Sequence, residues 1–223
     1  MLNSLQGGLV VSCQALEDEP LYGAFHMAAM AMAAKEGGAV GIRANGYEDI
    51  KAIKEKVNLP MIGILKKHYP GYGAFITPTK ADAKLISEAG ADIISIDATN
   101  QSRPESLNNL VRYIKEDLHK WVMADIATLQ EAEYAEQIGC DLVGTTLSGY
   151  TPDTIHRNRP DFELLSDLSQ KLKVPIVAEG NIESPDQAKK ALELGASFVV
   201  IGTAITRPQL ITQKFVEGMK TVG

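Results

Sequence analysis

The stretches P-I-V-A-E-G-N-I at 175–182 and F-V-V-I-G-T-A-I-T-R-P at 198–208 decide the reading of this chain. Each is a short apolar run that stops at a glycine beside polar residues, and 184–195 between them has a helical pattern. A glycine at a strand end lets the backbone approach a phosphate closely, and the helix that follows offers its N-terminal N–H groups to the anion. Two such loops after the last two strands of a (β/α)8 barrel make a phosphate cup. Gly180 and Asn181 supply the first loop, Gly202 and Thr203 the second. The two glycines also have a plainer reading, as relief of crowding where helices pack on strands. Arg207, just past the second loop and before Pro208, is placed to reach the same anion; otherwise it is a surface residue at a helix start. Glu179 puts a carboxylate where the first run meets the cup.

Six more apolar runs precede these, at 9–14, 39–44, 60–66, 93–99, 121–127 and 142–148, with the last two strands set at 175–180 and 198–203. Nearly continuous apolar character over so few residues suits parallel strands covered on both faces. Helical patterns fall between them, at 22–37, 47–57, 79–89, 104–118, 129–138, 161–172, 184–194 and 207–220. Thr79, Ser102 with Pro104, Thr128 with Glu131, and Ser184-Pro185-Asp186 mark helix starts. Gly37, Gly90, Gly139 and Gly195 mark ends. Eight β/α units predict one α/β domain over 1–223, a single (β/α)8 TIM barrel. An open doubly wound sheet is the competing architecture; the lack of an early G-x-G-x-x-G weighs against it. The long loops at 67–78 and 149–160, rich in Gly, Pro and Tyr, both follow strands, which is the active side of a barrel.

A chain of 223 residues with 45% hydrophobic content suits one sizeable core. A net charge of -6 and a pI near 5.3 argue against nucleic acid or an anionic membrane as the main partner. Cys13 and Cys140 make neither a disulfide framework nor a zinc site, and read as buried thiols of a cytoplasmic protein. The N-terminus lacks the pattern of a signal peptide, and no segment reaches the length of a membrane span. His26, His68, His119 and His156 are scattered, without metal-ligand spacing, so no metal is expected.

Six strands end in a polar or charged side chain: Gln14, Arg43, Lys66, Asp97, Asp125 and Glu179. A charge on the outer, helix-covered face of a barrel strand would cost several kcal/mol unless paired, so the inward mouth is the cheaper place. Lys66 near Arg43 would have a lowered pKa and could take a proton as the neutral amine; Glu179 would push the other way. The ordinary alternative for Lys66 is a lysine reaching to solvent or pairing with an acid, as Lys67 is expected to do. Glu179 could equally be the structural partner of Lys66 or Arg43. Asp97 and Asp125 suit orienting roles, Asp125 by bonding a sugar hydroxyl or holding Lys66. Gln14 and Arg43 suit neutral and anionic oxygens.

Beyond these residues the chain resembles the N-acylglucosamine-6-phosphate 2-epimerase family, also called N-acetylmannosamine-6-phosphate 2-epimerase. The resemblance spans L-V-V-S-C-Q-A (9–15), V-G-I-R-A-N (40–45), I-G-I-L-K (62–66), I-D-A-T (96–99) and M-A-D-I-A-T (123–128). It continues through G-T-T-L-S-G-Y-T (144–151), V-A-E-G-N-I (177–182) and I-G-T-A-I-T-R-P (201–208). The resemblance implies a TIM barrel acting in bacterial sialic acid breakdown, where it interconverts N-acetylmannosamine 6-phosphate and N-acetylglucosamine 6-phosphate. It maps Lys66 to the proton-abstracting lysine, Glu179 to the acid, and Gln14, Arg43 and Asp125 to substrate-contacting and supporting positions. Such a reaction requires no cofactor.

Two other functions compete. In a Schiff-base aldolase Lys66 would attack a carbonyl as the neutral amine. A non-catalytic sugar-phosphate sensor would need fewer charged groups than this ring provides. The expected partner is a small-molecule sugar phosphate, without nucleic acid or membrane; the oligomeric state stays open, with a homodimer as the assembly to test.

Overall fold

The computed structural model describes residues 1–220. Eight parallel strands close into a barrel in chain order, and the last pairs with the first. They are β1 (Leu9–Cys13), β2 (Gly41–Asn45), β3 (Met61–Ile64), β4 (Ile93–Asp97), β5 (Trp121–Asp125), β6 (Leu142–Gly144), β7 (Ile176–Glu179) and β8 (Phe198–Ile201). The short helix α1 (Leu2–Leu5) precedes β1. The connecting helices are α2 (Ala24–Glu36), α3 (Tyr47–Lys56), α4 (Lys80–Glu88), α5 (Leu107–Arg112), α6 (Leu129–Gln137), α7 (Phe162–Lys171) and α8 (Pro185–Glu193). After β8 come α9 (Thr203–Thr206) and α10 (Pro208–Met219). The last three residues of the expected 1–223 domain lie outside the described residues.

Local signals explain these elements. Thr79, Thr128 and Ser184 each accept the N–H three residues on, and Thr128 with Glu131 forms a reciprocal capping box. Gly90, Gly139 and Gly195 leave α4, α6 and α8 in the left-handed region, at φ 106, 93 and 103. Expected helix 104–118 departs from its pattern. It starts after Ser106 rather than at Ser102-Pro104, and continues beyond α5 as a π-helical turn over Tyr113–Asp117. The expected 207–220 helix is preceded by α9, which begins on the glycine loop itself.

The barrel interior is layered by the two-residue period of its strands. Val10, Ile62, Ile93, Met123, Leu142, Val177, Phe198 and Val200 pack with Leu5 into a buried inner cluster. Gly41 makes room for Leu5, since a Cβ there would stand 2.8 Å from its Cδ2. Two residues beyond the inner apolar positions, the same inward parity brings Ser12, Ser95, Asp125 and Glu179 to a polar layer. Arg43, two beyond Gly41, joins it. The larger hydrophobic cluster lies between strands and helices. The apolar runs overshoot the strands at most C-terminal ends: β3 stops at Ile64 and β6 at Gly144. Lys66 therefore stands two residues past its strand, where it forms an antiparallel bridge with Ile76.

Candidate active site

A cavity of about 510 Å³ opens at the C-terminal ends of the strands. Gln14, Arg43, Lys66, Glu179, Gly180, Asn181, Gly202, Thr203 and Arg207 all line it. A second groove of about 580 Å³ lies outside the barrel along α7 and holds none of these residues.

Arg43 is 1% exposed and organises the cavity floor. Its Nη2 donates to Asp125 Oδ2 at 2.7 Å and its Nη1 to Asp125 Oδ1 and Ser95 Oγ, each at 3.2 Å. Nη1 also ion-pairs with Glu179 Oε2 at 3.1 Å. Asp125 is fully buried and takes further bonds from Ser95 Oγ at 2.8 Å and Thr146 Oγ1 at 2.6 Å. It lies beneath the cavity rather than on its wall. Among the described residues it makes no hydrogen bond to Lys66, one of the partners expected for it; its charge holds Arg43. Burial works against the Arg43 cation, but Asp125 and Glu179 outweigh it and keep the guanidinium charged.

Glu179 is fixed through its backbone. Thr145 Oγ1 donates to the Glu179 carbonyl at 2.8 Å and accepts the Glu179 N–H at 3.1 Å. Burial pushes the carboxyl up to about 7, with Asp125 adding to the rise and Arg43 and Lys66 opposing it. The ion pair alone would argue for a lowered value. One guanidinium shared with a closer carboxylate cannot hold both anions out of water, so the upward direction prevails.

Lys66 is oriented by its own N–H, which donates to Asn45 Oδ1 at 2.8 Å. Surrounding protein and the Arg43 charge lower its pKa from the ordinary 10.5, against the pull of Glu179 and Asp125. Its side chain keeps contact with solvent in the cavity, so burial acts less on it than on an enclosed lysine, and the neighbouring guanidinium reinforces the shift.

Asp97 does not join the ring expected of the six strand ends. It accepts the Phe75 N–H at 3.2 Å and Thr99 Oγ1 at 2.6 Å, and lies 3.8 Å from Arg103, so it ties down two loops. Gln14 Nε2 donates to Ser12 Oγ at 2.7 Å. Gln14 Oε1 and Arg43 Nε are buried without a hydrogen-bond partner among the described residues.

The two glycine loops meet at one side of the cavity. Gly180 has φ 116 and Asn181 φ 54, a consecutive left-handed pair. The Asn181 side chain donates to Tyr150 Oη at 2.8 Å. Gly202 caps α9, and a Cβ there would stand 3.3 Å from Ser12 Cβ, so β1 and this loop approach closely. Arg207 lines the cavity but is held by Glu19, its Nε donating to Oε1 at 2.7 Å.

Sequence reasoning passed over Ser95, Thr146, Asn45 and Glu19. Ser95 and Thr146 are small hydroxyls whose inward parity with Asp125 and Glu179 was the available signal. Glu19 lies in a loop with no periodicity to betray it. Among the described residues no cluster of three or more His, Cys, Asp and Glu side chains is placed to hold a metal ion, and no helix is long and apolar enough to cross a membrane.

The family described as N-acetylmannosamine-6-phosphate epimerase matches residues 27–221. The chain belongs to this epimerase family. A relative from Caldanaerobacter subterraneus subsp. tengcongensis, named N-acetylmannosamine-6-phosphate 2-epimerase, is 53% identical over 223 residues, covering 99% of this chain and 94% of the relative. One of the same name from Clostridioides difficile is 50% identical, covering 99% of each. The solved structure of the N-acetylmannosamine-6-phosphate 2-epimerase from Clostridium perfringens matches with a TM-score of 0.94 at 47% identity, covering 97% of this chain and 95% of that one. A thiamine phosphate pyrophosphorylase from Pyrococcus furiosus, 19% identical with a TM-score of 0.63 over 92% of this chain and 89% of its own, shares the fold alone. The epimerase family membership bears out the resemblance and the barrel expected from the sequence.

Proposed function

We propose that this chain interconverts N-acetylmannosamine 6-phosphate and N-acetylglucosamine 6-phosphate, with Lys66 and Glu179 as the catalytic pair. The observation that carries the reading is that a lysine with a lowered pKa and a glutamate with a raised one face the same cavity as the two glycine loops. C2 of an amino sugar is acidic only when C1 is an open-chain aldehyde. Lys66, as the neutral amine, takes the C2 proton; the C2–H electron pair moves into a C1–C2 double bond and the aldehyde oxygen becomes an oxyanion. Glu179 returns a proton to C2 from the other face, the oxyanion collapses to the aldehyde, and the configuration is inverted. In the reverse direction the two groups exchange roles. Bringing their pKa values together makes the proton transferable in both directions.

Arg43 supplies positive charge beside the developing oxyanion, and Asp125 supports it from below. Gln14 Oε1 and Arg43 Nε offer an acceptor and a donor to the sugar. The phosphate lies between Gly180–Asn181 and Gly202–Thr203, held by backbone N–H groups, with Arg207 at the rim.

The same reading makes 1–223 one catalytic domain of bacterial sialic acid breakdown. A cytoplasmic setting is supported by two free, buried cysteines, whose thiols burial pushes up to about 12. A homodimer is supported by α10, which buries no residue within the chain and leaves Phe215 and Met219 70% and 74% exposed. Sedimentation equilibrium checks it: a monomer at working concentration rejects the dimer.

The test of the reaction is NMR of N-acetylmannosamine 6-phosphate with the protein in heavy water. The expected result is conversion to the 2-epimer with deuterium at C2. No conversion rejects the function, and a reducible lysine adduct trapped by borohydride would favour the aldolase reading instead.

A further inference from the structure

The β1–α2 loop contributes a carboxylate that the proposed reaction does not use. Glu19 sits in a turn tied at both ends. Its N–H donates to the Leu16 carbonyl at 2.9 Å, and the Leu16 N–H donates to its Oε2 at 2.8 Å. That leaves Oε1, which accepts from Arg207 Nε at 2.7 Å, from Arg207 Nη2, and from Gln209 Nε2 at 2.9 Å. Glu19 and Arg207 are 188 residues apart in the chain, yet both line the cavity. The Glu19 side chain is 11% exposed and that of Arg207 28%. Burial works to raise the Glu19 pKa, but the Leu16 N–H and Arg207 outweigh it, so the carboxylate stays ionised.

The carboxylate is thus anchored by its own turn, and the arginine is the arm that reaches it. An arginine left alone at a loop–helix junction spreads over many rotamers, and ordering it on binding subtracts from affinity. Here Nε and Nη2 are engaged from one side, which leaves Nη1 for an anion on the other.

We propose that Glu19 is a positioning residue: it holds the Arg207 guanidinium where it closes the phosphate cup, so the phosphate meets an arginine already in place. This rests on the assignment of the phosphate to the 180–181 and 202–203 loops made above.

Steady-state kinetics on N-acetylmannosamine 6-phosphate decide it, using Glu19→Ala, Glu19→Gln, Arg207→Ala and the Glu19→Ala/Arg207→Ala double variant. Loss of an ordering contact for one anchoring side chain corresponds to a KM about tenfold higher in Glu19→Ala, with kcat within about twofold. Glu19→Gln keeps an acceptor oxygen for Arg207 and should recover most of that loss. Arg207→Ala should raise KM at least as much, and adding Glu19→Ala to it should change KM by less than about twofold, because the two act through one contact. An unchanged KM in Arg207→Ala would take Arg207 out of the phosphate site and overturn the proposal, while leaving the assignment of the phosphate to the two glycine loops in place. A raised KM in Arg207→Ala with an unchanged KM in Glu19→Ala would defeat the positioning role alone. So would a Glu19→Ala variant that lowers kcat and melting temperature equally in both Arg207 backgrounds. Should Glu19→Ala not fold, Glu19→Asp keeps the charge but is one methylene too short; a raised KM supports the proposal and an unchanged one overturns it.

Discussion

Arg43 and Glu179 face each other at 3.1 Å on the cavity floor, while the same guanidinium sits closer, at 2.7 Å, to Asp125. This unequal sharing sets the electrostatics of the site. Asp125 is the committed counter-ion and is bonded on both oxygens. Glu179 is the spare carboxylate, buried enough to favour its proton and close enough to positive charge to release it.

The pH dependence follows from that arrangement. The reactive state holds one proton between Lys66 and Glu179, in either direction of reaction, so the pair titrates as a unit. Below about 7 both groups are protonated and kcat/KM should fall. Above the lowered lysine pKa, short of the ordinary 10.5, both are deprotonated and it should fall again. A profile flat from about pH 6 to about pH 9 would contradict the assignment. Stability runs with the carboxyl proton. Because the folded pKa of Glu179 lies above the ordinary 4.5, its contribution is complete below that value and is lost as pH rises through about 7. Urea midpoints of wild type and Glu179→Gln should therefore differ most in their slope across this window.

Lys66→Ala should lose roughly a hundredfold or more in kcat, as expected when a positioned acid–base group is removed, while binding of the sugar phosphate persists because the glycine loops are untouched. Single-turnover kinetics and a titration of ligand binding separate the two effects. Full activity would move the search for a base to Glu179.

Removing Asp125 takes from the buried Arg43 cation the closer of its two counter-ions and leaves it Glu179 alone. Taking one partner from a buried ion pair costs about 3–5 kcal/mol. Asp125→Ala should show that loss as a lower urea midpoint at unchanged slope. Its activity should fall as well, because Arg43 would be drawn wholly to Glu179. A midpoint within error of wild type would mean that the pair adds nothing to stability.

Gly180→Ala tests the phosphate loop. At φ 116 a side chain is strained wherever it points, at a cost of about 1–3 kcal/mol. If the strain is relieved by moving the loop, KM should rise by about tenfold for each 1.4 kcal/mol of lost phosphate binding. Inhibition by inorganic phosphate should weaken in parallel. Unchanged inhibition would place the anion elsewhere. N-acetylmannosamine without its phosphate should be a very poor substrate of the wild type, and equal efficiency on both sugars would reject the cup.

The sequence by itself favoured the barrel over an open doubly wound sheet, and the pairing of the last strand with the first closed it. Eight apolar runs alternate with capped, glycine-terminated helices, and a run too short and too apolar for anything but a doubly covered strand needs no tertiary information to be recognised. The sequence also placed six strand-end residues on inward positions, because strand parity is strictly two, and four of them, Gln14, Arg43, Lys66 and Glu179, line the cavity together. Tertiary structure alone decided their partners. Lys66 and Asp97 look equivalent in sequence, yet β3 ends early and sends Lys66 into the cavity, while the loops after β3 and β4 close on Asp97 and take up its oxygens. Nothing local tells Asp125 to hold Arg43 across 82 residues, with Ser95 and Thr146 as its other donors, or Glu19 to hold Arg207 across 188. Periodicity reports which face a residue takes, a property of one strand. Charge pairing depends on distances between strands, which exist only once the barrel has closed.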